Sequence, residues 1–523
     1  MSSVADASAA PPTTAEPGKL QAGALGPIQV LFLIVTGAAP LAAMVFNVPV
    51  TVLGSGYAAP AAFLIATIVL TIFSVGYIEM SRRVSSIGGF YTFITRGLGR
   101  VPGLASGLLI GFCYIIFAAG VAGALGYFAS TSINAWFGID LPGYVYSFLG
   151  LAIMAAFAFF DIELTAKVLG TALVAEVLSL TILGICVLFA GGGPDGVVLS
   201  GLSPAALFDN DSAIQVFGSA AVGIALFGAF WSWVGFEMAP NYAEESKDPK
   251  RIAKVATYGS VIGLGLFYIL MSLVFVSGWG KMGAAQAVAD QFAGKYDSAW
   301  YPLADHFGGG WLKFMFELLM ITSSFACSMA FFNTGARYIF SLSREGILPA
   351  AFSKTHEKHH SPVNAALAVT VIVALWIGAF TISYPSTLDS LLKLATWTPL
   401  MGVLGILGVQ AVCSFAVIAY FLSDEAKDGF HPWKTLIAPL LGGVGQIGAM
   451  YLLVANRGGL GGAADAGFIK LFPWIVAIMF LGGMAYAAYL RMNKPDAYGQ
   501  IGAFEADEPM IEEPLHGTRH ASA

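Results

Sequence analysis

The chain has 523 residues, of which 57% are hydrophobic and 11% charged, with a net charge of −6. A soluble globular domain carries about 25% charged residues. Here the shortage is spread along the chain, which excludes a soluble domain with one anchor and makes lipid the main solvent. There is no basic block suited to nucleic acid.

Residues 1–25 are rich in Ala, Pro, Ser and Thr and lack the charged region, apolar core and cleavage site of a signal peptide. They are expected to form a disordered cytoplasmic tail. Residues 26–490 are expected to form a transmembrane domain, and the polar, acidic stretch 491–523 a second disordered tail. Within the domain, apolar runs of about 20 residues recur, the length that crosses a ~30 Å hydrocarbon core at 1.5 Å per residue. They lie near 27–52, 60–81, 103–128, 143–160, 166–190, 214–240, 254–277, 311–340, 363–383, 393–422, 435–454 and 468–490. None alternates as a barrel strand does, so an all-α membrane protein of about twelve transmembrane helices is predicted.

With the N-terminus inside, the outer loops hold Lys281, Lys295, Lys313, Lys393, Arg457 and Lys470, six of the 25 Lys and Arg residues. The other 19 fall inside, among them Arg82, Arg83, Arg96 and Arg100. The positive-inside rule therefore predicts a multi-pass protein of the cell membrane with both termini cytoplasmic. Gly103, Gly107 and Gly111 share a four-residue spacing that suits close helix packing. Cys113, Cys186, Cys327 and Cys413 sit singly in apolar runs, as small packing residues do. All seven histidines lie in loops or the tail, and the group His356-Glu357-Lys358-His359-His360 reads as a polar loop. No metal or cofactor is expected.

Two spans carry helix-weakening residues mid-membrane. The first contains Thr36-Gly37-Ala38-Ala39-Pro40, and the sixth Phe230-Trp231-Ser232-Trp233-Val234-Gly235-Phe236-Glu237, followed by Pro240. Proline removes a donor and disfavours a helical conformation in the residue before it. If spans 1–5 and 6–10 are two repeats, the breaks fall in the first helix of each. Five helices is an odd number, so the second repeat is inverted. Matched interruptions of this kind point to a transporter's binding site. A freed half-helix N-terminus can hold a carboxylate, and freed carbonyls an ammonium, which together describe an amino acid.

Three glutamates fall inside spans: Glu176, Glu237 and Glu317. An ionised carboxylate facing lipid is costly, so each is a candidate functional residue. Glu176 lies ten residues into the fifth span, about 15 Å along the helix. Glu317 lies in the outer part of the eighth span, from which it can reach water. No GxxxxGK[ST] motif suggests ATP drive. The spans hold neither a nucleophile–base set nor haem-type histidines, so no enzyme is expected.

The sixth span and its exit, Glu244-Glu245-Ser246-Lys247-Asp248-Pro249-Lys250-Arg251, resemble the amino acid–polyamine–organocation superfamily. So do Gly88-Gly89-Phe90-Tyr91 with Arg96 and Gly97, Asn333 through Arg337, and Ser343-Arg344-Glu345-Gly346-Ile347-Leu348-Pro349. The resemblance covers nearly the whole chain between the tails. It implies the LeuT-type fold, a 5+5 inverted repeat with broken helices 1 and 6, and a permease for amino acids or related amines. It implies that the substrate carboxylate meets amides of Thr36, Gly37, Ala38 and Ala39, where many members have glycine-serine-glycine. The amine is expected near the carbonyls of Phe230, Trp231 and Ser232, with Trp233 and Gly235 completing the break. Trp231-Ser232 is similar to the Trp-Ser pair of arginine/agmatine-type antiporters. Glu237 is implied in gating and Glu176 in coupling. Some proton-coupled relatives carry a lysine at the place of Glu176, where sodium-coupled ones bind a cation. The expected partners are an amino acid or amine, a proton or a sodium ion, and membrane lipid. Proton symport leads, with an exchanger or a non-transporting nutrient sensor as alternatives.

Overall fold

The computed structural model describes residues 27–84, 88–159, 162–208, 211–217, 221–238, 249–356, 361–384, 386–424, 426–457 and 467–502. Among them the chain is helical, with only an isolated bridge between Gly193 and Gly196 in place of sheet. The first expected span is two helices, α1 (Pro27–Ala38) and α2 (residues 40–55, with a π turn at Ala43–Asn47). Then come α3 (Ala59–Arg83), the short α4 (Phe90–Leu98), α5 (Arg100–Phe137), α6 (Gly143–Phe157) and α7 (Ile162–Phe189). The second half follows with α8 (Val222–Trp231), α9 (Pro249–Trp279), α10 (Gly310–Arg344), α11 (Val363–Ser383) and α12 (Thr387–Leu422). It ends with α13 (Ala438–Asn456), α14 (Phe472–Asn493) and α15 (Pro495–Gln500).

Among the described residues nine helices are long and apolar enough to cross a membrane, or ten with the bent pair that includes Val222–Met238. The difference from twelve has a geometric cause. Residues 40–83 run on as one apolar helical stretch, which merges the second half of the first span with the second span, and the apolar α6 has only 15 residues.

The centre of the bundle is α5, packed against α10, α12, α14, α4 and α6. Its small-residue stripe makes this possible. A methyl group at Gly107 would lie 2.7 Å from the Tyr91 ring, and one at Gly111 would lie 3.2 Å from Tyr338. Two stretches that carry the family resemblance meet at one end of the bundle, where the Tyr91 hydroxyl donates to the Glu345 carboxylate. At the same end Arg83 pairs with Asp428 at 3.2 Å.

The chain stays folded past residue 491, where a tail was expected. The Gly502 N–H donates to the Tyr91 oxygen at 2.9 Å and to Glu345 at 3.2 Å, and Arg100 donates to the Gly499 carbonyl at 3.0 Å. These bonds give α15 a seat that composition alone does not show. The expectations for residues 1–25, for 503–523, for Pro240, for Glu244–Asp248 and for Glu357–His360 concern positions outside the described residues.

Candidate functional site

The first helix breaks at one residue. Ala39 has φ 42° and ψ 78°, a left-handed conformation that costs an L-residue about 1–2 kcal/mol. Its N–H still donates to Val35 at 2.9 Å, and its carbonyl accepts from Ala43 at 2.7 Å, so both flanking helices reach the break intact. Pro40 opens α2, where a missing N–H does no harm.

Bending here frees two amides and two carbonyls that a continuous helix would pair, Leu41 with Gly37 and Ala42 with Ala38. A buried group left unpaired costs about 1–3 kcal/mol. Each of the four finds a side chain on a neighbouring helix. The Leu41 N–H donates to Glu176 Oε2 on α7 at 3.3 Å, and the Ala42 N–H to Ser323 Oγ on α10 at 3.3 Å. Ser323 in turn donates to the same Glu176 oxygen at 2.8 Å. The Gly37 carbonyl accepts from the Cys327 thiol at 3.1 Å, and the Ala38 carbonyl from the Tyr268 hydroxyl at 3.2 Å. Glu176 is buried, and its described partners are the break and the serine that also serves it.

The sixth helix breaks differently. After Trp231 the backbone tightens, with Ser232, Trp233 and Val234 donating three residues back. Gly235 then takes φ 117°, and Phe236 and Met238 resume the three-back pattern. Glu237 pins this segment. Its Oε1 accepts from the Tyr114 hydroxyl at 2.8 Å, its Oε2 from the Gly235 N–H at 3.2 Å, and its carbonyl from the Tyr77 hydroxyl at 2.7 Å. The two breaks touch: a methyl group on Gly235 would lie 3.2 Å from the Gly37 carbonyl carbon.

Beside this contact lies a cavity of about 40 Å³, bounded by α1, α2, α5, α8, α10 and α12. Space for a few waters needs only about 10–15 Å³ each, so the walls stand close. Its lining is mostly apolar and small: Ala38, Ala42, Ala43, Val121, Ala124, Val234 and Ala395, with Phe46, Trp231, Met320 and Phe331. Trp231 stacks on Phe227 at 5.3 Å and meets Phe46 edge-on at 5.4 Å. The polar side chains are Asn47, Ser324 and Cys327. Asn47 donates to Ser232 Oγ at 2.9 Å and ties α2 to the end of α8. Ser324 Oγ is buried and has no hydrogen-bond partner among the described residues.

Of the expected site residues, Gly37, Ala38, Ala39 and Trp231 line the cavity. Thr36 belongs to the last turn of α1. Ser232 serves the Asn47 bond behind the wall. Phe230 and Trp233 border a separate small void with Phe236 and Gln410, and the Trp233 indole donates to the Val261 carbonyl at 3.2 Å. Gly235 forms the contact between breaks. The expected capture of a carboxylate by the amides of 36–39 meets an obstacle, because those amides lie within α1 or, for Ala39, are bonded to Val35. Glu317 accepts from the Trp136 indole at 2.8 Å and lies 3.8 Å from Lys313. Asn47, Ser323 and Ser324 are not among the residues expected from sequence, and Cys327 is expected only as a packing residue. Their signal in the sequence is uncharged polarity in mid-span.

The comparisons agree with this architecture. A family model described as "Amino acid permease" matches residues 25–482. The branched-chain amino acid permease BcaP of Bacillus subtilis is 23% identical over 82% of this chain and 85% of its own. A probable GABA permease of Pseudomonas aeruginosa is 27% identical over 61% of this chain and 64% of its own. A vacuolar cationic amino acid transporter of Arabidopsis thaliana is 22% identical over 55% of this chain and only 44% of its own. Among solved structures, the Eremococcus coleocola manganese transporter superposes with a TM-score of 0.53 at 14% identity, covering 90% of this chain and 95% of that one. At that identity the likeness is one of fold, the LeuT type with two broken helices. These relatives are transporters and not enzymes, and the chain belongs to the amino acid permease family of the amino acid–polyamine–organocation superfamily.

Proposed function

We propose that this chain is a secondary transporter of the cell membrane that carries a small amino acid or related amine by alternating access, in symport with a proton. The observation that carries this reading is the contact of two matched helix breaks beside a small cavity, with a buried carboxylate bonded to one of them. The relatives' names support the substrate class, with branched-chain amino acids and GABA among them. With no histidine in the apolar runs, a proton carried by a side chain in the core must ride on a carboxylate, and Glu176 and Glu237 are both buried. Uptake of radiolabelled amino acids and amines into proteoliposomes, with and without a pH gradient, tests the proposal. Accumulation should follow an inward proton gradient. Uptake that needs only counter-substrate would make the protein an exchanger, and binding without uptake a sensor.

Trp231→Ala should raise the half-saturating substrate concentration about tenfold, about 1.4 kcal/mol, because it opens the aromatic wall formed with Phe46 and Phe227. An unchanged value would remove Trp231 from the site.

Both termini are proposed to be cytoplasmic, since 19 of the 25 basic residues then fall inside. A cysteine at Ser361, in a background freed of reactive thiols, should react with an impermeant maleimide only after the membrane is opened. Labelling of intact cells would invert the topology.

A further inference from the structure

We infer that the cavity is built for a substrate without a free carboxylate: a primary amine, or an amino acid whose carboxyl is masked as an amide. This inference rests on the proposed transport function and narrows its substrate class. At a half-helix N-terminus, free amides would neutralise an anionic group. Here none is free. Pro40 has no N–H, Leu41 donates to Glu176, Ala42 to Ser323, and Ala43 to Ala39. The acceptors that this terminus attracts are thus supplied by the protein itself. A substrate carboxylate would find no spare backbone donor there and, whenever Glu176 is ionised, would meet a like charge behind that terminus, which disfavours it.

The remaining polar groups favour an ammonium. The carbonyls of Gly37 and Ala38 each accept one bond, from Cys327 and Tyr268, and a carbonyl oxygen has two lone pairs. Ser324 Oγ, buried in the wall and without a partner among the described residues, can accept from an N–H as well. The apolar, close-set remainder suits a short aliphatic body. Acceptors therefore outnumber spare donors, which is the pattern that an amine requires and an acid does not.

Binding to the purified full-length protein in nanodiscs tests this without the complication that uncharged amines cross bilayers unaided. Matched pairs differ only in the carboxyl group: leucine with isoamylamine, valine with isobutylamine, and leucinamide as the masked form of leucine. Titration calorimetry should find each amine, and leucinamide, at least tenfold tighter than the corresponding acid. Acids that bind as tightly as their amines would overturn the inference while leaving the transporter reading intact. If none of the five compounds binds, the proposed function fails and this inference with it. Two variants locate the cause. Glu176→Gln removes the ionisable group and keeps the shape, and should shift the acid-to-amine ratio at least tenfold toward the acid. Ser324→Ala should weaken the amines about tenfold. An unchanged ratio in Glu176→Gln would overturn the role given to that carboxylate.

Discussion

Gly37→Val is expected to cut substrate uptake about a hundredfold, about 2.7 kcal/mol, with the protein still folded in the membrane. The geometry separates this change from a milder one. A single methyl group at Gly37 would stand 3.6 Å from Ala330 and from the Met238 sulfur and 3.9 Å from Gly235 Cα, which is ordinary contact. Gly37→Ala should therefore keep most of its activity. Valine adds two more methyl groups to a space bounded on three sides, and they would push the two breaks apart. The partner glycine tolerates less. Gly235 holds φ 117°, a conformation that L side chains rarely adopt, and a methyl group there would lie 3.2 Å and 3.3 Å from the backbone of Gly37 and Ala38. Gly235→Ala should match Gly37→Val in effect. Uptake by both at wild-type affinity, measured beside surface expression, would show that the contact of breaks is not part of the transport site.

Glu176→Gln is expected to lose pH-driven accumulation and retain exchange of substrate across the membrane. Glutamine mimics the neutral acid and cannot release a proton. It also keeps an oxygen that can accept from Leu41 and Ser323, so the break keeps its shape. Substrate exchange at equal pH therefore tests whether the site survives, and accumulation under a gradient tests whether the proton is carried here. Loss of a sodium dependence instead, in a protein whose wild-type uptake follows sodium, would assign the carboxylate to a cation. Normal accumulation in the variant under both gradients would make Glu176 structural. Coupling would then fall to Glu237, whose three bonds to Tyr114, Gly235 and Tyr77 hold the sixth-helix break in place.

Much of the architecture was legible in the sequence because lipid imposes simple arithmetic: apolar runs of fixed length, helical by necessity. The breaks were legible because helix-weakening residues fall in the first helix of each expected repeat, Gly37 and Pro40 in one and Gly235 in the other. What the breaks do was harder to read. Whether freed amides await a ligand or are already paired depends on side chains 135 to 290 residues away in the chain, and no local pattern reveals that Glu176, Ser323 and Cys327 converge on Leu41, Ala42 and Gly37. Trp231 and Trp233 illustrate the same limit. They differ by two positions, yet a tightened backbone turn sends one indole to the cavity and the other to the Val261 carbonyl.

The bent first helix also has a competitor that it must defeat. If residues 27–55 straightened into one rod, Leu41 would pair with Gly37 and Ala42 with Ala38, and all four groups now served by Glu176, Ser323, Cys327 and Tyr268 would be satisfied within the helix. In hydrocarbon such a rod would be well bonded, and it would erase the cavity. The pyrrolidine ring of Pro40 closes that route, because in a straight helix it would collide with the Thr36 carbonyl. One ring thus guards the pocket against a conformer that is self-sufficient and inert. Pro40→Ala would readmit it, and the symptom would be a protein that inserts normally, resists heat at least as well as its parent, and carries nothing.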